Sequence, residues 1–198
     1  MNFDLADEHD LIRRTVREFA EQRVAPVAEE LDREHRFPYA IVAEMAELGL
    51  MGIPFPEEVG GAGGDTLTYA IAIEELTRVD ASVGVTVAAH TSLGTMPIHL
   101  FGTDAQRAEL LPDLVSGRAL AAFGLTEPEA GSDAGNPRTR AELEDGMWRI
   151  NGSKMFITNS GTDISRCVTI TARTGDDEIS TIIVPNGTPD RKSTRLNS

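Results

Sequence analysis

The sequence predicts an α+β fold: an N-terminal all-helical bundle followed by an antiparallel β-barrel-like domain. Three observations point there. Apolar residues recur at steps of three and four through the first half of the chain, the period of one helix face. From about residue 119 the pattern changes to short apolar runs broken by Asp145-Gly146 and Asn151-Gly152, dipeptides that favour tight hairpin turns. The chain has 198 residues, 40% hydrophobic and 25% charged, which suits a folded chain of one or two domains and excludes disordered and low-complexity classes. The expected boundaries are a helical domain over 1–118, a β domain over 119–189, and a disordered or artefactual tail over 190–198.

The first helix follows from Ile12, Val16, Ala20, Val24, Val27 and Leu31. Its stripe continues past Pro26, which predicts a kink there rather than an end. Pro38 opens a second helix with Ile41, Val42, Met45 and Leu48 inward, closed by Gly49. Residues 51–64 hold five glycines, but no strand precedes them and no Lys follows, so a turn-rich loop is expected rather than a phosphate cradle. A third helix covers 66–78. Residues 81–100 are apolar nearly all round, as in a bundle centre or an interface between copies. Thr103 to Gln106 opens the last helix, ending before Gly117. The β domain then reads as an apolar run over 119–125 and strands over 139–144, 147–150, 153–158, 166–173 and 180–185. Asn151-Gly152 and Asn186-Gly187 read as turns.

Composition narrows function by exclusion. Eighteen basic against 32 acidic residues give a net charge of −14, which leaves no basic surface for nucleic acid. The single cysteine, Cys167, excludes a disulfide framework and a cysteine zinc site; its apolar neighbours predict a buried, inert thiol. His90 and His99 are nine apart, unlike the spacing of a helical metal pair, and no metal site is expected. No window approaches the roughly 18 apolar residues of a membrane span. The N-terminus lacks the pattern of a signal peptide, so a cytoplasmic location is expected. Gly-x-Ser-x-Gly, Gly-Lys-Ser/Thr and His-Glu-x-x-His are all absent from the sequence. The acidic pairs Glu57-Glu58 and Glu74-Glu75 read as solvated faces.

Two segments carry a possible ligand site. Gly124-Leu125-Thr126-Glu127-Pro128-Glu129-Ala130-Gly131-Ser132-Asp133 lies between the helices and the strands. Its small and hydroxylated residues leave backbone N–H groups and rotatable O–H donors for a ligand. In Lys154-Met155-Phe156-Ile157-Thr158-Asn159 an extended strand would put Phe156 and Thr158 on one face. That pair suits either an ordinary sheet face or a wall for a flat ring whose edge accepts a hydrogen bond.

Taken together these segments resemble the acyl-CoA dehydrogenase family. Leu125-Thr126-Glu127-Pro128 with Ala130-Gly131-Ser132-Asp133 is similar to the family signature. Asn151 to Asn159 is similar to its second flavin-contacting segment, and Pro56-Glu57-Glu58 with Val59-Gly60-Gly61 to a weaker third. The resemblance covers about residues 3–189. It implies FAD as cofactor and oxidation of the Cα–Cβ bond of an acyl-CoA thioester, with hydride passing to flavin N5, in fatty acid or amino acid catabolism. It implies that Phe123, Leu125, Thr126, Gly131, Ser132, Phe156, Ile157 and Thr158 bind the flavin and that Ser132 also meets the thioester. An electron-transfer flavoprotein as acceptor and a homotetramer in the complete protein are further expectations. The family carries Gly where this chain has Asn136-Pro137. Its catalytic base lies in a helical domain after the β domain, so the resemblance leaves no catalytic residue among these 198 and implies an inactive N-terminal fragment. A non-catalytic flavin-binding fragment, and an acyl-CoA oxidase or flavin monooxygenase of the same fold, are the alternative readings.

Overall fold

The computed structural model describes residues 4–192. Of the tail expected over 190–198, residues 193–198 lie outside the described residues, as do the first three residues of the chain. Among the described residues seven α-helices run through the first part: α1 (Asp7–Phe19), α2 (Ala25–Arg33), α3 (Tyr39–Glu47), α4 (Thr66–Val79), α5 (Ala81–Ala88), α6 (Met96–Phe101) and α7 (Asp104–Val115). Five strands follow: β1 (Leu120–Gly124), β2 (Arg140–Glu144), β3 (Met147–Asn151), β4 (Ser165–Arg173) and β5 (Ile179–Pro185).

The first apolar stripe forms as read, with Val16, Ala20 and Val24 fully buried. A π-helical turn, Ala20–Val24, joins α1 to α2, and Pro26 sits in the first turn of α2. The wider turn leaves room for a residue without an N–H, so the helix continues. Gly49 closes α3 with φ of 73°, but Leu48 is exposed. Asp65 caps α4 by accepting the Thr68 N–H, and Asp80 caps α5 by accepting from Ser82 and Val83. Thr103 and Gln106 bond each other's backbone at the start of α7, a reciprocal cap.

Glu75 corrects the reading of its acidic pair. Glu74 is exposed, whereas Glu75 is buried and receives two hydrogen bonds from Arg17 at 2.9 and 2.7 Å, with Arg78 at 3.3 Å. The Arg17 bonds outweigh burial and hold its pKa below the ordinary carboxylate value. This clamp joins α1 to α4.

The apolar stretch 81–100 is two-sided rather than enclosed. Val83, Val87 and Ile98 are buried, while Val85, Leu93 and Leu100 are exposed. A second π-helical turn, Ala89–Thr95, links α5 to α6 and runs against β1. A Cβ on Gly94 would lie 2.6 Å from the Ala121 carbonyl, so only glycine allows this approach.

The sheet is mixed, which corrects the antiparallel expectation. β4 is its centre: β1 pairs with β4 in parallel, β2 touches the end of β4 in parallel, and β5 pairs with β4 antiparallel. β2 and β3 form a hairpin through Asp145-Gly146, both at positive φ, as that dipeptide favours. Hairpin signals specify neighbours in sequence; the parallel β1–β4 pair spans the whole intervening segment and leaves no local mark. Asn151-Gly152 is not a hairpin turn, because Asn151 ends β3 and residues 152–157 form no strand. Gly152 instead meets residue 139, where a Cβ would lie 2.3 Å from Thr139 Oγ1. Asn186-Gly187 does turn, with Gly187 at φ of 81°.

Alternation along β1 fixes which layer lies on each face. Ala121 packs with Phe55, Ile98, Leu111 and Leu114 of the helical domain, and with Cys167. Ala122 packs with Val168, Ile170 and Ile182 on the other side. The thiol of Cys167 is buried, which pushes its pKa up to about 11. Among the described residues no helix is long and apolar enough to cross a membrane.

Candidate functional site

The chain leaves β1 at Gly124 and makes a tight turn in which Glu127 and Ala130 exchange backbone hydrogen bonds at 3.0 and 3.2 Å. Segment 154–157 lies directly over this departure point. The Met155 N–H donates to the Thr126 carbonyl at 2.9 Å. A Cβ on Gly124 would touch Ile157 and Lys154 at 3.3 Å, which sets how closely the two segments approach. The two motifs singled out in the sequence are thus brought into contact.

Glu127 anchors this contact. Its side chain is buried and forms a 2.6 Å ion pair with Lys154. It also accepts the backbone N–H of Arg138 at 2.5 Å and of Thr139 at 3.2 Å. Burial alone would raise its pKa, but bonds from Lys154, Thr139 and Arg138 overcome that and bring it down to about 2. Lys154 donates further to the Leu125 carbonyl at 3.1 Å and to Thr171 Oγ1 at 3.0 Å. The motif reading missed Lys154. One signal was available: it is one of only two lysines in the chain, and it stands inside a ligand-site motif.

With these groups joined to each other, others stay free. The Thr126 N–H and hydroxyl, and the Ser132 and Thr158 hydroxyls, have no hydrogen-bond partner among the described residues. Phe156 is 79% exposed and Leu125 is 40% exposed. Phe156 adopts φ of 56°, a left-handed conformation that costs a side-chain-bearing residue about 1 kcal/mol. This overturns the strand-face reading: Phe156 and Thr158 do not alternate along a strand, because the backbone reverses its hand at Phe156.

Thr158 is placed from both sides. Ile157 packs on the sheet cluster. Asn159, buried and at φ of 67°, donates from Nδ2 to the Thr86 carbonyl of α5 at 2.9 Å, and its own carbonyl accepts from Ser165 Oγ at 2.6 Å. Phe123 is half-buried on the face of β1 that it shares with Ala121. Gly131 and Ser132 are exposed on the outer side of the turn, and open space surrounds Gly131. Neither is joined by a hydrogen bond to the 154–158 segment.

His90 secures the base of the site. Fully buried, it accepts the Ala121 N–H on Nδ1 at 3.1 Å and bonds the Leu114 carbonyl through Nε2 at 3.0 Å. That pair of bonds assigns the proton to Nε2. Burial lowers its pKa to about 4, only partly offset by the Leu114 carbonyl. His99 packs edge-on against Phe55. Among the described residues, no group of three or more His, Cys, Asp or Glu side chains could hold a metal ion.

A mixed sheet backed by helices thus presents free donors and an exposed ring at one strand end. The family model for the N-terminal domain of acyl-CoA dehydrogenases matches residues 6–118, and that for the middle domain matches residues 122–198. A probable acyl-CoA dehydrogenase of Bacillus subtilis is 47% identical over 96% of this chain and 50% of its own length. The fold superposes on butyryl-CoA dehydrogenase from Megasphaera elsdenii with a TM-score of 0.89 at 39% identity, over 96% of this chain and 51% of that one. It superposes on an acyl-CoA dehydrogenase from Bacillus anthracis complexed with FAD with a TM-score of 0.86 at 36% identity, over 93% of this chain and 32% of that one. The chain belongs to the acyl-CoA dehydrogenase family. It spans about half the length of the curated relatives it matches.

Proposed function

We propose that this chain supplies the flavin-facing surface of an FAD-dependent acyl-CoA dehydrogenase acting on short acyl-CoA thioesters. The observation that carries this reading is the arrangement at the end of β1. There two segments satisfy each other's charges while the Thr126 and Thr158 donors and the Phe156 ring stay free. These residues fit the isoalloxazine of FAD, a flat ring with hydrogen-bond acceptors along its edge. Leu125, Phe156 and Ile157 offer apolar contact, and Thr126, Ser132 and Thr158 offer donors. The short-chain preference is supported by the similarity to butyryl-CoA dehydrogenase.

When bound, the flavin would accept the hydride that leaves Cβ as the α proton is removed. The Thr158 hydroxyl would donate to the ring edge near N5 and stabilise negative charge there. The Thr126 N–H and hydroxyl would serve the opposite edge. Phe156 would cover the ring and exclude water. Ser132 would lie where ring and thioester meet. Glu127 would not take the α proton: its pKa, held down to about 2, makes its carboxylate a weak proton acceptor, and both its oxygens are already bonded. An electron-transfer flavoprotein as acceptor and assembly into a homotetramer belong to the same reading.

The test is anaerobic mixing of the FAD-loaded full-length protein with butyryl-CoA. The visible flavin band is expected to bleach, and Thr158→Ala is expected to slow bleaching about 10²- to 10³-fold, the usual effect of removing one aligned donor. A bleaching rate unchanged in Thr158→Ala contradicts the N5 role. A bound flavin that acyl-CoA does not bleach contradicts the dehydrogenase reading.

A further inference from the structure

We propose that Glu127 and Lys154 are positioning residues for the flavin: their buried ion pair fixes the register of segment 125–127 against segment 154–158 and so sets the spacing of the flavin-facing donors. The inference rests on the flavin reading above and extends it to two residues that do not touch the ligand.

The argument starts from saturation. Lys154 has three N–H groups, and three acceptors surround it: Glu127 at 2.6 Å, the Leu125 carbonyl at 3.1 Å and Thr171 Oγ1 at 3.0 Å. Glu127 accepts from Lys154 and from the backbone N–H groups of Arg138 and Thr139. The two side chains are only 5% and 2% exposed. Neither has capacity left for a phosphate, a ring edge or a substrate proton, so a direct ligand role is excluded for both.

A buried ion pair is also a poor source of stability, because removing both charges from water costs about as much as their attraction returns. What it supplies is a single allowed arrangement. Lys154 grips the residue on each side of Thr126, through the Leu125 carbonyl and the Glu127 carboxylate, while Met155 N–H takes the Thr126 carbonyl. Three attachments around one residue leave Thr126 only its N–H and hydroxyl to present. The same grip begins the run that leads, two and four residues later, to Phe156 and Thr158. A shift of about 1 Å between the segments is enough to misplace both sets of donors.

The test uses the full-length protein, titrated with FAD and followed by flavin fluorescence and by the visible circular dichroism of the bound ring, with the melting temperature measured alongside. Lys154→Met strands the Glu127 charge and is expected to lower both melting temperature and FAD affinity, the latter at least about tenfold. The deciding variant is Glu127→Gln with Lys154→Met. It removes both charges and keeps an acceptor for the Arg138 and Thr139 N–H groups. The melting temperature is expected to return most of the way to that of the parent, while FAD affinity stays at least about tenfold weaker and the dichroism band stays altered. Recovery of affinity and dichroism together with melting temperature overturns the positioning role and leaves the flavin reading standing. A parent protein that binds no FAD overturns the flavin reading, and this inference with it.

Discussion

At the scale of single residues, the side chains that bind nothing are as informative as those that bind. Glu127 could have been read as a catalytic acid from its place in the motif; its partners make it a structural anion instead. His90 could have been read as a metal ligand; it is a neutral bridge from the helical domain to the Ala121 N–H of β1. That role predicts a pH dependence. The folded pKa of His90 is about 4 against an ordinary 6.5, so the unfolded chain binds its proton first as pH falls. Stability is therefore full above about pH 6.5 and declines toward pH 4, by on the order of 3 kcal/mol from this group. Glu127, lowered to about 2, adds a second loss that begins below about pH 4.5. Urea unfolding followed across this range, with His90→Gln as control, is expected to show the first decline in the parent alone. A parent whose stability is flat from pH 6.5 to 4 contradicts the neutral-bridge assignment.

At the scale of elements, the sequence is informative where order is local. The Ile12 to Leu31 stripe, the Asp145-Gly146 hairpin and the Gly49 terminus all form as their residue types dictate. The failures share a cause, which is that the deciding partner lies far away in the chain. Nothing near Leu120 announces a parallel partner at Ser165. Nothing near Asn151 announces that Gly152 is glycine because Thr139 crowds it. The strand expected over 153–158 fails because Phe156 is held in a left-handed conformation, with the segment's bonding directed to Thr126, Glu127 and Thr86 instead of a sheet neighbour. The contact between the π-helical turn and β1 yields a prediction at this scale. Gly94→Ala would press a methyl into the Ala121 backbone and is expected to destabilise the chain by about 2 kcal/mol, read as a lower urea midpoint with unchanged slope. An unaltered midpoint would show that this approach is not tight.

At the scale of the whole molecule, the two domains divide the work of the site. The helical domain provides the backing: His90 takes a β1 N–H, α5 receives Asn159, and Leu120 is buried in the helical core. On the sheet side, Thr126 follows the end of β1, and the segment that leads to Thr158 lies over that strand end. Much of the candidate site was readable as motif, since the two segments that carry Leu125, Thr126, Phe156, Ile157 and Thr158 meet at the end of β1. Its scaffold was not, because Lys154, Asn159 and His90 act through partners on other elements and stand in no spacing pattern. The measurement that bears most directly on this account is hydrogen–deuterium exchange of the full-length protein with and without FAD. The account predicts that added FAD slows exchange chiefly at residues 123–132 and 154–158, with the acidic helical surface around α1 and α2 unchanged. Protection centred elsewhere in the chain, with those two segments unaffected, would contradict it.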